Sequence, residues 1–412
     1  MRSKSRKSLA VLLAGAMMMS MVVLPGMAVP AAAAQFNDTK GHWAETSIIR
    51  WSDNKIVQGS DGRFNPDAFM TRAEMATILT NLLVLQETAK NSFADVAPGS
   101  WYESAVLKCA AAGIMKGDGT NANPNGTITR EEATTMLGRA LAIAPSTGDL
   151  TFTDKATVAD YAKGYVKAMN EKGIIKGISA GVFGAKSSIT RASVATILDR
   201  AITTYANKKD ATVTAKDKGI TLVAAPGVTV TGTVEDLLIA QGASSATTSL
   251  KDAKVTGTAT VNAAKANIKM IGTSSVNQFT VSANASGVAL DLDKTAKITS
   301  LTTAADTLAV SGTGTIAKMT VTAGKDVTVA KETTVTQLEN KGKNDVKYGD
   351  KIVKGDGTAE QPSIGDGNTT NPSTPPSSGE FTTLAELERL AQAQAGDAIL
   401  TVSPDAAITS GG

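Results

Sequence analysis

The chain has 412 residues, 41 of them basic and 38 acidic, with one cysteine and one histidine. That length is too great for one core, so several structural units are expected. The counts exclude a disulfide framework and a Cys/His zinc site, and leave a single Cys–His pair as the only thiol chemistry to weigh.

The opening stretch reads as a signal peptide over 1–34. Arg2, Lys4, Arg6 and Lys7 precede an apolar run from Leu9 to Leu24, and Ala32-x-Ala34 provides a cleavage site before Gln35. Pro25 and Gly26 end the run, and no stop-transfer charges follow. No later segment approaches ~18 consecutive apolar residues, so no membrane span is expected after cleavage. Loss of the leader takes the 41 basic residues to 37, against 38 acidic. The mature chain is then near neutral, with nothing to attract nucleic acid.

Three units follow, read as 35–88, 89–147 and 148–208. Each opens Phe-x-Asp: Phe36/Asp38, Phe93/Asp95 and Phe152/Asp154. Each continues with an aromatic residue (Trp43, Trp101, Tyr161), an apolar residue five later and a glycine eleven after that (Gly59, Gly117, Gly177). A Thr-Arg pair comes next, with Arg72, Arg130 and Arg191 lying 13, 13 and 14 residues beyond the glycines. Spacing held over three copies indicates a repeat architecture. Locally each unit reads helix, loop, helix. Trp43, Ser47, Ile48 and Trp51 share a helical face, as do Trp101, Ala105, Val106 and Cys109. Cys109 aligns with Trp51 and Met169, so it reads as a buried apolar position rather than a nucleophile. Thr71 with Glu74 and Thr129 with Glu132 form capping boxes at the second helices, whereas the third unit has Ser193 in the glutamate's place.

Phe-x-Asp, the Trp helix, Gly-Ile-Ile-x-Gly and Ile-Thr-Arg-Ala-Glu, in three tandem copies behind a signal peptide, resemble S-layer homology domains. The resemblance implies three helix-rich units packed as a pseudo-threefold module. It also implies secretion to the cell surface and non-covalent binding of secondary cell wall polysaccharide, often pyruvylated, of Gram-positive bacteria. That peptidoglycan-linked glycan is the expected partner, and the resemblance allows self-association in a surface layer.

Physics supplies a reason for the arginines. A helix start presents several backbone donors and a partial positive charge, and a guanidinium beside it makes a receptor for a carboxylate. The bland alternative is that Arg72, Arg130 and Arg191 pair with neighbouring carboxylates. Gly59-Ser60 and Gly117-Asp118 would offer backbone N–H groups and polar side chains to sugar hydroxyls; otherwise the glycines, Gly177 included, are only helix C-caps. In the family the Trp and the residue after the glycine belong to the ligand groove, which points to Trp43 and Trp101. The third unit, with Tyr161 and Ile178, is expected to contribute least. His42 reads as an ordinary exposed loop histidine.

From about residue 210 the period changes, and Val, Thr, Ala and Gly dominate. Ile268, Val288, Leu308 and Val327 recur 20, 20 and 19 residues apart, and Phe279, Leu301, Met319 and Leu338 track them. Short alternating strands at that period read as a parallel β-helix over 211–350. The fold class is therefore multidomain, α then β: a pseudo-threefold helical module followed by a parallel β-helix-like repeat domain. A Gly/Pro/Ser/Thr linker is read at 355–379 and the start of a further domain at 380–412.

Because β-helices also host polysaccharide lyases, Asp291 and Asp293 are candidates for a catalytic carboxylate pair. Both would point outward from one strand, ~6.5–7 Å apart. No arginine, lysine or aromatic cluster recurs beside them to hold a sugar. No catalytic residue, metal or cofactor is expected. The alternative is an exported polysaccharide-degrading enzyme, lyase or glycosidase, that uses the repeats as its wall anchor.

Overall fold

A computed structural model describes residues 36–355; the expected leader, the linker beyond Gly355 and the final segment lie outside the described residues. Six helices come first: α1 (Glu45–Asp53), α2 (Arg72–Leu83), α3 (Glu103–Ala111), α4 (Arg130–Ala140), α5 (Asp160–Glu171) and α6 (Arg191–Ala201). Each repeat supplies two. The capping boxes form as expected, with Thr71 accepting from Glu74 N at 3.2 Å while Glu74 Oε2 accepts from Thr71 N at 2.7 Å. Thr129 and Glu132 repeat the arrangement at α4, and Thr190 caps α6 through Ser193 N alone.

The repeats close into a ring. Met70 N donates to Ile189 O (3.0 Å), Ile128 N to Met70 O (2.9 Å) and Ile189 N to Ile128 O (3.1 Å), one bond across each seam of a pseudo-threefold axis. The first helix of each repeat packs on the second helix of the preceding one: α3 on α2, α5 on α4, and α1 on α6. Ile48, Trp51, Leu79, Val106, Leu137 and Leu198 fill the shared core. Cys109 lies there too, and burial pushes its thiol up to about 12, which removes it as a nucleophile at neutral pH.

Two local readings are corrected. Trp43 and Trp101 precede α1 and α3 rather than joining their buried faces, and are 64% and 66% exposed. His42 is not a loose loop side chain: its ring is 14% exposed, its Nδ1 accepts from Ala44 N at 3.1 Å, and its Nε2 lies 3.3 Å from Asp67.

A parallel β-solenoid of about seven turns follows without a linker. In chain order its strands are β1 (Ile202–Ala206), β2 (Thr212–Thr214), β3 (Ile220–Val223), β4 (Thr229–Val234), β5 (Asp236–Ile239) and the long β6 (Thr247–Val261). Then come β7 (Asn267–Ile271), β8 (Ser275–Val281), β9 (Val288–Leu292), β10 (Lys297–Thr303), β11 (Thr307–Gly312) and β12 (Thr315–Val321). The series ends with β13 (Asp326–Val329), β14 (Thr334–Asn340), β15 (Val346–Tyr348) and β16 (Lys351–Val353). One stack runs β1, β3, β5, the end of β6, β8, β10, β12, β14; the other runs β2, β4, the start of β6, β7, β9, β11, β13, β15. Antiparallel β16 closes the second stack.

The side-chain columns follow from period-2 alternation. Phe279, Leu301, Met319 and Leu338 sit on successive rungs as read from sequence, and so do Val288, Leu308 and Val327. Ile268 is displaced by one inward position: its rung partner is Leu290, because the turn between β8 and β9 adds two residues to the 20-residue spacing. Leu290 points inward, fully buried, while Asp291 is half-buried and Asp293 exposed.

The two parts share one core at their junction. Ile202, Ile220, Leu222 and Leu238 of the first turns pack into the helical cluster. Tyr205 sits against Trp51 with ring centroids 5.6 Å apart and donates to Leu82 O at 3.0 Å. Lys172 Nζ reaches Asp236 at 2.7 Å.

Candidate functional site

The Phe-x-Asp carboxylates set the loops from which the second helices start. Asp38 accepts from Phe64 N and Asn65 N, both at 2.8 Å. Asp95 accepts from Ala122 N and Asn123 N, and Asp154 from Phe183 N and Gly184 N. Burial works against ionisation at Asp38 and Asp154, but the paired backbone donors outweigh it and hold both carboxyls below their ordinary value. The recurrent Phe-x-Asp at the head of each repeat is the sequence signal for these aspartates, which lie 33, 34 and 36 residues ahead of Thr71, Thr129 and Thr190.

Gly59, Gly117 and Gly177 are not helix caps. The residues in left-handed conformation just past α1, α3 and α5 are Lys55, Gly113 and Gly173. A Cβ at Gly59 would stand 2.2 Å from Arg63 O and 2.4 Å from the Phe36 ring, and one at Gly117 would stand 2.3 Å from Asn121 O. The glycines are there because each loop folds back on itself. Ser60 Oγ turns to Asp61 at 2.9 Å. Asp118 Oδ1 accepts from Thr120 N and Asn121 N, which keep its carboxyl below the usual range.

Each arginine crosses a seam to the next repeat. Arg72 donates from Nε to Ala122 O (2.8 Å) and pairs through Nη1 with Glu132 (2.9 Å). Arg191 donates from Nε to Phe64 O (2.9 Å), from Nη2 to Gln58 O, and pairs through Nη1 with Glu74 (3.2 Å), its guanidinium lying over the Phe64 ring. Arg130 donates from Nη2 to Lys176 O and lies over the Phe183 ring. Gln58 and Lys176 directly precede Gly59 and Gly177, so the candidate arginines and glycines do come together, each from a different repeat.

The free helix-start donors expected beside the arginines are taken. Arg72 N and Ala73 N donate to Gly126 O and Pro124 O, Arg130 N and Glu131 N to Ser187 O and Ala185 O, and Arg191 N and Ala192 N to Ala68 O and Pro66 O. The seams themselves consume those N–H groups, which a single repeat read in isolation leaves open.

Arg130 differs from its two counterparts. It is 8% exposed, and Ser193 stands where Glu74 and Glu132 serve the other two arginines. Among the described residues neither its Nε nor its Nη1 has a hydrogen-bond partner, and only Nε is sealed from water. Burial, and then the neighbouring charge of Arg200, push its guanidinium down; Arg191 is likewise lowered by burial but is partly compensated by Glu74. Beside Arg130 the buried Glu131 collects Lys186 Nζ, Tyr161 Oη at 3.2 Å and Ala159 N at 2.9 Å.

A groove of about 330 Å³ opens where all three repeats meet, lined by Arg72, Lys116, Gly117, Glu132, Arg139 and Tyr161 among others. Lys116 and Arg139 were not singled out from sequence, since neither recurs in all three repeats. At the solenoid, Asp291 accepts from Ser311 Oγ (3.3 Å) and Asp293 from Gly272 N (2.9 Å), on separate rungs.

Residues 35–76, 92–134 and 151–195 match the family model of the S-layer homology domain. The chain is similar to an amylopullulanase of Thermoanaerobacterium thermosulfurigenes, 37% identical over 170 residues, which is 40% of this chain and 9% of that protein. It is similar to the surface-layer 125 kDa protein of Lysinibacillus sphaericus, 35% identical over 180 residues, 42% of this chain and 15% of that one. It is similar also to an S-layer protein of Bacillus thuringiensis subsp. finitimus, 33% identical over 190 residues, 44% of this chain and 23% of that one. The chain thus spans less than a quarter of the length of these relatives. The amylopullulanase shares only the repeat region. Three S-layer homology repeats, then a β-solenoid, are the make-up of a secreted cell-surface protein.

Proposed function

We propose that the helical ring anchors this protein non-covalently to the Gram-positive cell wall by holding an acidic secondary wall polysaccharide at the seams between repeats. The observation that carries the reading is Arg130, a largely buried guanidinium that has no carboxylate partner among the described residues. A sugar carboxylate, such as a pyruvyl group, would take the place that Glu74 and Glu132 fill elsewhere. Arg72 and Arg191 would support the same polymer only by exchanging an internal partner for it, so their grooves rank below that of Arg130. Trp43, Trp101 and Tyr161 serve as exposed platforms for sugar faces. Gly59, Ser60, Gly117, Asp118 and Gly177 form the loop edges. Self-association into a surface layer belongs to the same proposal.

Titration of the chain with polymer released from purified walls tests it. Arg130→Gln should weaken binding about ten- to hundredfold, the range of one lost charge-assisted contact. Unchanged affinity would remove the reading. A second reading, a wall-anchored polysaccharide-degrading enzyme, draws on the amylopullulanase match. Against a role for Asp291 and Asp293 in it, both carboxylates already accept hydrogen bonds from neighbouring turns.

A further inference from the structure

Arg139 stands at the edge of the groove that Arg72 lines. The Arg139 side chain also lines two cavities between the helical ring and the first solenoid turns, one of about 540 Å³ and a narrow one of about 30 Å³. The larger falls within the ~300–1,000 Å³ of small-ligand sites. We propose that this junction cleft is a second polysaccharide subsite, one that takes neutral sugar residues of the chain whose acidic group is held at the seams. The inference rests on the wall-polymer reading above.

The lining selects the chemistry. Thr258, Gln278, Thr280, Ser282, Asn262 and Asn284 project from consecutive turns of the solenoid, and Thr260 and Thr280 are direct rung partners. Rungs repeat every ~4.8 Å, so hydroxyls and amides recur along the cleft as they do along an extended glycan. Asn262 and Asn284 have no side-chain partner among the described residues, and Ser282 Oγ is shut off from water with none either. Apart from Arg139, the charges at the walls are already matched: Lys172 with Asp236 at 2.7 Å, and Glu171 with Lys167 at 2.8 Å. Arg139 donates to Ile114 O at 3.2 Å and has its guanidinium carbon 5.9 Å from the Tyr165 ring centroid. A polyol leaves those pairs in place, and its hydroxyls can both accept from Arg139 and bond the amides and hydroxyls of the solenoid wall. A peptide strand is disfavoured because β5, β6 and β8 spend their backbone groups on each other here.

The test uses the leader-free full chain and wall polymer cut into length fractions, read by calorimetry. Gln278→Leu with Asn284→Leu, and separately Ala144→Trp to obstruct the cleft, should lower affinity for long fragments about tenfold. Both should leave a single acidic repeating unit bound as before, with unchanged thermal melts. Arg130→Gln should weaken fragments of every length. Wild-type affinity of both cleft variants for every length would overturn the subsite alone. Failure of the wild-type chain to bind any fragment would overturn the anchoring reading and this one with it. Displacement of long fragments by wall stem peptides, but not by neutral oligosaccharides, would overturn the sugar assignment.

Discussion

Arg72 and Glu132, sixty residues apart in sequence, form a 2.9 Å ion pair across the seam between the first and second repeats. Glu132 is at the same time the reciprocal member of the capping box on Thr129. One carboxylate therefore starts a helix and fastens a neighbouring repeat. The third seam has the same pair between Arg191 and Glu74, and the second seam, at Arg130 and Ser193, does not.

Ser193→Glu should complete the pattern. The new carboxylate would cap α6 reciprocally and meet the open Nε and Nη1 of Arg130, adding about 1–2 kcal/mol to stability. The same change should weaken polymer binding, since the protein then supplies the anion itself. A melting curve and a titration on one sample check both signs.

The aspartate staples give a pH dependence. The carboxyls of Asp38 and Asp154 lie below their ordinary 3.8, so each adds stability that is complete above about pH 4 and is lost as pH falls through the lower folded value. Asp154→Asn should cost roughly 1–3 kcal/mol at neutral pH and flatten the acid limb of the stability profile. Chemical denaturation between pH 2 and 6 reads the slope.

Gly59→Ala tests the loop geometry. With carbonyl and ring atoms 2.2–2.4 Å from the added carbon, backbone must move, and a loss of about 2 kcal/mol or more is expected. A thermal melt unchanged from wild type would show that the loop opens freely.

Leu290 stacks between Ile268 and Val310 inside the solenoid. Leu290→Asp places an unpaired charge in that column and should cost more than ~4 kcal/mol, whereas Asp291→Leu on the outer side should cost little. Limited proteolysis of the two variants, compared with wild type, separates them.

Cutting the chain near residue 210 should harm both halves. A solenoid that starts at 211 loses β1 and uncovers Ile220, Leu222 and Leu238, each worth ~1.5–3 kcal/mol when buried. Binding of a hydrophobic dye by that fragment, absent from the longer chain, is the expected sign.

The sequence disclosed what repeats disclose. Recurrent motifs at near-regular spacing mark the three units, Thr71 and Thr129 mark helix starts, and alternation from Val288 onward marks the rungs. It concealed what depends on neighbours brought together by closure. Donors at Arg72 N and Ala73 N look open until Gly126 and Pro124 arrive from the next repeat. Trp43 and Trp101 match the helical period, yet they fall just before the first turn, where periodicity does not govern direction. The one-position slip of Ile268 arises because turn lengths vary while a fixed spacing cannot.

A protein held to a wall at one end and reaching outward at the other carries tension, and ring closure decides where that tension goes. Pull on the solenoid enters the helical body at Ile202, directly behind α6, with no slack between them. Helix α6 is clasped by the first repeat through Arg50 and Asp199, and the first repeat by the second through Arg72. Load applied to the last repeat is thus divided among all three in parallel instead of peeling them off in series. The grip on the wall should then fail by one cooperative rupture, at a single force in a pulling experiment, rather than by stepwise release.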